Sequence, residues 1–214
     1  MEPNTEPDTL GLWGQAVETW MDGGWAMIPL AVVAFIIFGL GTDLYMTLRG
    51  KGFKRLSESA WREWIDTPDR RRGRVGRIIE VASAARTIQE CEAIFEAIRL
   101  KELSPIRRSL LLMRTCVSAA PLLGLLGTVT GMLATFTALA TGSGGDKTMG
   151  LIASGISEAL ITTETGLVIA LPGVFFQYQM NRTFERYRAF LAQLESVFTQ
   201  KIHQRQVESS RLAA

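Results

Sequence analysis

The chain has 214 residues, of which 47% are hydrophobic, and 23 basic against 21 acidic side chains give a net charge of +2. That is about one domain's worth of chain with an ordinary average composition. Two cysteines, Cys91 and Cys116, and a single histidine, His203, argue against a disulfide framework, a clustered metal site and His-dependent catalysis. No metal or cofactor is expected, and near-neutral charge argues against a dedicated nucleic-acid binder.

Position carries more than the average. Residues 1–22 hold five acids (Glu2, Glu6, Asp8, Glu18 and Asp22) and no lysine or arginine. They do not resemble a cleaved signal peptide, which begins with bases and has a short apolar region, so the apolar segment that follows is retained. Asp22 and Asp43 bracket 20 uncharged residues, and a first membrane span is expected over 23–45. As a helix those 20 residues measure about 30 Å, the thickness of a bilayer's hydrocarbon core.

A polar segment over 46–110 comes next, expected to be cytoplasmic and helical. Within it Ile78, Ile79, Ala82, Ala85, Ile88, Cys91, Ile94, Phe95 and Ile98 recur at helical spacing among charged residues, the pattern of an amphipathic helix. Pro68 and the run Asp69 to Arg74 look like the connection before it. The run Arg70, Arg71, Arg72, Arg74 and Arg77 reads as a solvated loop facing lipid headgroups rather than a nucleic-acid patch. Ser104 and Pro105 read as an N-cap and first-turn proline, starting a helix that continues into the second span.

Arg114 and Asp146 bracket 31 uncharged residues, and a second span is expected over 111–140. Gly124, Gly127 and Gly131, with Thr128 and Thr135, place small residues at spacings of three and four. A glycine-rich turn over 141–148 leads to a third span over 149–178, where Gly155, Ala159, Thr162, Gly166 and Ala170 answer with a second small face. Pro121 and Pro172 are placed to kink these two helices. The tail, 179–214, steps Phe184, Tyr187, Leu191, Leu194, Phe198 and Ile202 along one face and is expected to extend the third span as a cytoplasmic helix. Both amphipathic stretches are expected to pack in one intracellular bundle.

Charge sets the orientation. Residues 49–108 hold fifteen bases and residues 181–214 six, so the middle segment and tail are expected in the cytoplasm and the N-terminus outside, with three spans. The third span contains two acids. A charge at mid-span costs about 2.5 to 3.5 kcal/mol on insertion scales, so intramembrane acids generally face an aqueous path or a bundle interior. Glu158 lies on a stripe with Ser154, Thr162 and Thr165, hydroxyls that suit either protonation state of a carboxyl group. Ion transport is one reading of Glu158, and an interhelical structural contact is the other. Glu164, about 9 Å further along the helix and on another face, is open to both.

Two segments together carry a resemblance: Ala120-Pro121-Leu122-Leu123-Gly124-Leu125-Leu126-Gly127-Thr128-Val129-Thr130-Gly131 and Gly155-Ile156-Ser157-Glu158-Ala159-Leu160-Ile161-Thr162-Thr163-Glu164-Thr165-Gly166-Leu167, followed by Ala170-Leu171-Pro172. They resemble the two signature segments of the ExbB/TolQ/MotA proton-channel family, closest to its ExbB and TolQ branch, over about residues 20 to 200. The resemblance implies an all-α integral membrane protein with three transmembrane helices and long cytoplasmic helical extensions, in a bacterial inner membrane. It also implies a pentamer around two copies of a single-span ExbD-like or TolR-like partner whose intramembrane aspartate takes protons, with a TonB-like protein as a further partner. Such a motor, not an enzyme, couples proton-motive force to work on the envelope. In it Glu158 matches the family's third-span acid, Thr128 its second-span threonine and Thr163 its third-span threonine; Thr162, Thr165 and Glu164 complete the candidate pathway. Glu164 departs from the pattern, where a small residue is usual. The competing reading is a non-conducting membrane scaffold whose acids are structural.

Overall fold

The computed structural model describes residues 11–53, 58–67, 72–141 and 146–212, and among them the regular structure is helical throughout. In chain order the elements are α1 (Leu12–Asp22), α2 (Met27–Gly50), α3 (Glu58–Asp66), α4 (Gly73–Ser83), α5 (Ile88–Thr141) and α6 (Asp146–Leu212). Three of them, α2, α5 and α6, hold windows long and apolar enough to cross a membrane. Of the turn expected over 141–148, residue 141 and residues 146–148 are helical and 142–145 lie outside the described residues, as do Pro68, Asp69, Arg70 and Arg71 and the first ten residues.

Two expectations of where helices begin are corrected. The amphipathic stretch is not one helix: α4 ends at Ser83, and α5 begins at Ile88. Ser104 and Pro105 do not start a helix, because both lie inside α5. The start is set instead by Thr87 and Glu90. The Glu90 N–H donates to Thr87 Oγ1 at 3.2 Å, and Glu90 Oε2 accepts from the Thr87 N–H at 3.4 Å and the Arg86 N–H at 2.8 Å. That reciprocal arrangement satisfies amides that the first turn leaves without helical partners. Pro105 removes one internal hydrogen bond from a helix of 54 residues, a loss that packing on both sides outweighs. Pro121 and Pro172 likewise lie within continuous helix.

By contact the chain divides into two compact units, Met1–Phe38 with Arg114–Phe175, and Gly39–Met113 with Phe176–Ala214. In the second, the apolar positions spaced along α4, the start of α5 and the end of α6 face inward. Ile79, Ala82, Cys91, Phe95, Leu191 and Leu194 are fully buried, joined by Phe53, Trp61, Tyr187, Phe190, Phe198 and Ile202. The aromatic rings interlock: Phe53 lies 5.1 Å from Tyr187, and Trp61 meets Phe190 edge-on at 6.1 Å. The arginine run is not all loop: Arg74 and Arg77 lie within α4, and they are exposed, as Arg72 is, because they alternate with the inward Val75, Ile78 and Ile79.

The first unit packs α5 against α6 over a seam of small residues. The pairing runs antiparallel, from Gly131 beside Gly155 at one end to Ala120 beside Gly166. Gly173 of α6 touches both Val117 of α5 and Ile37 of α2. Along α2, Gly23 and Gly24 meet α6 at Ile161 and Glu158, and Ile37 meets it at Gly173, so residue numbers rise together and these two helices run parallel.

Candidate functional site

The seam is tight because it has no room for side chains. A Cβ added at Gly124 would stand 2.9 Å from the Thr162 carbonyl oxygen, one at Gly131 would stand 2.7 Å from the Gly155 oxygen, and one at Gly166 would stand 2.8 Å from the Ala120 oxygen. At Gly155 it would meet Thr135 Cγ2 at 2.6 Å, and at Gly127 it would meet Thr162 Cβ at 2.6 Å. Close backbone approach of this kind gives dispersion contact that lipid itself does not drive.

The candidate threonines do not ring the Glu158 carboxylate. Thr162 is fully buried at the seam, and its Oγ1 donates within α6, to the Ala159 carbonyl at 2.9 Å and the Glu158 carbonyl at 3.1 Å. Thr165 donates to the Ile161 carbonyl at 2.8 Å, and Thr128, on α5, to the Leu125 carbonyl at 2.7 Å. Of these candidates Thr163 alone crosses the seam, donating 3.1 Å to the Gly124 carbonyl. Back-bonding to the preceding turn is the default for a threonine in an apolar helix, where no water competes for the hydroxyl. Ser154 is exposed.

Glu158 is half-buried and turns toward the start of α2. Its carboxylate occupies the space a side chain at Gly24 would need, and Gly24 has φ +61°. Side chains on a helix lean toward its N-terminus, which carries this carboxylate away from the apolar middle of α6 and up to the turn before α2. The half-exposed Trp20 and Trp25 flank that turn, as aromatic residues do at a membrane boundary. Glu164 is exposed on another face of α6. Lysine and arginine are absent from 27–38 of α2 and 115–141 of α5; in this unit Arg114 and Lys147 stand at the far ends of those stretches, on α5 and α6. The Gly23–Gly24 contact is absent from the reading of the sequence, although two glycines directly before an apolar run signal a turn.

A second cluster escapes that reading too, in the other unit. Lys51 is ion-paired with Glu102; the lysine is buried and the glutamate keeps 11% of its side chain exposed. Arg74 Nε lies 3.4 Å from Glu102 Oε1, the Tyr187 hydroxyl donates to Glu102 Oε2 at 3.4 Å, and the Lys51 ammonium stands 4.7 Å from the Tyr187 ring centroid. Burial pushes the Glu102 carboxyl up, yet Lys51, Arg74 and Tyr187 together hold it below the usual carboxylate range. Burial pushes the Tyr187 hydroxyl well up, helped by the Glu102 charge, and pushes the Lys51 ammonium down against the pull of Glu102. Glu102 follows Phe95 and Ile98 at helical spacing, so an acid on an apolar face was the available signal. Among the described residues no group of three or more His, Cys, Asp or Glu is placed to hold a metal.

The sequence model of the MotA/TolQ/ExbB proton channel family matches residues 72–193, more than half of the chain. The chain belongs to that family. The MotA/TolQ/ExbB match takes in the seam, Glu158, Glu102 and Tyr187, and leaves Gly24 and Lys51 outside it. Within the MotA/TolQ/ExbB family, the ExbB-like 1 biopolymer transport protein of Synechocystis is 49% identical over 77 residues, 36% of this chain and 30% of that protein. The Tol-Pal system protein TolQ of Pseudomonas aeruginosa is 33% identical over 119 residues, 52% of this chain and 51% of TolQ. An ExbB homologue of Methanothermobacter thermautotrophicus is 41% identical over 86 residues, 40% of this chain and 29% of the relative. These matches therefore span about half or less of each relative's length. Membership, similarity to ExbB-like and TolQ proteins and the three apolar helices make this an all-α membrane protein of the ExbB and TolQ branch.

Proposed function

We propose that this chain is the channel-forming subunit of an inner-membrane motor of the TonB or Tol type, in which Glu158 carries or shapes the proton path and the α5–α6 seam holds that path rigid. One observation carries the reading: Glu158 is a half-buried carboxylate against a glycine turn, within a stretch of α6, 148–181, that holds no lysine or arginine. Acids within membrane spans are costly, and they mark ion paths and proton relays in pumps and transporters. Each proton moving down the membrane potential yields about 2.3 kcal/mol per 100 mV, the scale of one buried contact exchanged for another.

The subunit works as an oligomer. Only 28%, 22% and 28% of the most apolar windows of the three long helices are buried within the chain, so most of their surface is left to lipid and neighbouring subunits. A pentamer enclosing two copies of an ExbD-like or TolR-like single-span partner is the arrangement the family resemblance implies, with a TonB-like protein downstream. The parallel course of α2 and α6, with α5 antiparallel, suits three spans that start outside and end in the cytoplasm.

The test is proton flux in vesicles holding the chain together with its single-span partner. Glu158→Gln should lower flux by about a hundredfold, the scale of a positioned proton-transfer group, while the complex still assembles. Wild-type flux in the Gln variant would leave the chain a scaffold with structural acids.

A further inference from the structure

Gly24 is where the turn between α1 and α2 touches the one acid proposed to carry charge. Three features of that contact do not follow from helix packing. The residue has φ +61°, a conformation that side chains other than glycine and asparagine rarely adopt. A Cβ built there falls on the Glu158 carboxylate, and would stand 3.1 Å from Glu158 Cγ as well. The preceding Gly23 is buried, with Ile161 Cγ2 at 3.2 Å from its own hypothetical Cβ, so the turn is seated on α6 at two positions one helical turn apart. By contrast, Gly39 and Gly50 of α2 and Gly150 of α6 have open space where a Cβ would go.

We propose that Gly24 is the positioning residue for Glu158. Its bare backbone leaves the cavity that the carboxylate fills, so residue 24 sets the rotamer and approach of the acid. The charged neighbours are few. Asp22 closes α1 two residues before Gly24, Asp146 and Lys147 open α6 about three turns before Glu158, Glu164 lies on another face of α6, and residues 27–42 and 115–145 hold no charged side chain. At Gly24 the shape of the backbone aims the carboxylate. This inference rests on the conduction reading of Glu158 and adds what holds that residue in place.

The experiment is the same vesicle flux assay, on the complex with its single-span partner, for Gly24→Ala, Glu158→Asp and the two combined. Gly24→Ala should lower flux on the order of tenfold or more at unchanged complex yield, as displacing a reacting group by about an ångström does. Glu158→Asp is one methylene shorter and vacates the contested space, so the double variant should conduct several-fold better than Gly24→Ala alone. Gly24→Asn separates backbone strain from overlap, because asparagine accepts the positive φ while its Cβ still meets the carboxylate; it too should lose flux. Wild-type flux in Gly24→Ala or Gly24→Asn overturns the proposal, and so does a double variant no better than Gly24→Ala, which would reduce residue 24 to a folding role. Glu158→Gln tells the two failures apart: if it conducts normally the conduction reading falls, and if it is inactive while Gly24→Ala is normal only the positioning role falls.

Discussion

Lys51 and Glu102 show how much a single buried contact carries. A buried charge without a partner is costly, and Lys51, at 3% exposure, has the Glu102 carboxylate beside it. Replacing Lys51 by Met leaves the Glu102 carboxylate with Arg74 and Tyr187 only, and should cost about 3 kcal/mol, the usual result of stripping one partner from a buried pair. The sign of the pH dependence follows from Glu102. Its folded value lies below the ordinary 4.5, so its stabilisation is fully present above 4.5 and is lost as pH falls through the folded value. In Lys51→Met that advantage shrinks. The drop in melting temperature should be large at neutral pH and should vanish in the acid range, where Glu102 is protonated in both proteins. A drop of equal size at both pH values would mean that Lys51 acts by packing its stem against Tyr187, not through its charge.

At the scale of the element, periodicity made the helices legible and capping chemistry decided where they start. The apolar face of the tail was readable because Phe184, Tyr187, Leu191, Leu194, Phe198 and Ile202 follow the helical repeat, and all six are buried. Ser104 and Pro105 misled because a proline's preference for a first turn is a local signal, overridden when helix continues on both sides and packing holds it. Thr87, Ile88, Gln89 and Glu90 fit the capping-box pattern and mark the true start. The seam was legible across sequence because its small residues recur on both helices, whereas neither Gly24 with Glu158 nor Lys51 with Glu102 leaves a periodic trace. The α5–α6 seam allows a contrast within one element. Gly131→Val should destabilise the complex by about 1 to 3 kcal/mol, because its side chain must displace the Gly155 carbonyl and Ala159 Cβ. Gly150→Val, on α6 with nothing within 4 Å, should change the melting temperature little. Equal effects would mean that the seam yields easily and that glycine serves some other purpose there.

For the whole molecule, charge distribution and helix direction constrain the topology independently. Acids without bases fill residues 1–22, whereas 49–108 carry fifteen bases, an asymmetry that predicts the basic side in the cytoplasm. Helix direction adds that α2 and α6 run the same way, which predicts opposite faces of the membrane for an exposed position in α1 and one late in α6. Single cysteines test this in a background with Cys91 and Cys116 replaced by Ser. Val17 is well exposed in α1, and Gln204 lies on the exposed face of α6 past the buried Ile202. In intact cells, Val17→Cys should react with a membrane-impermeant maleimide and Gln204→Cys should react only after the membrane is opened. The reverse pattern would place the acidic end inside and turn the proton path around, so that the Glu158 carboxylate, beside the turn before α2, would face the cytoplasm and not the side from which protons enter. Labelling of both positions in intact cells would break the three-span topology itself, since an odd number of crossings cannot leave both ends outside.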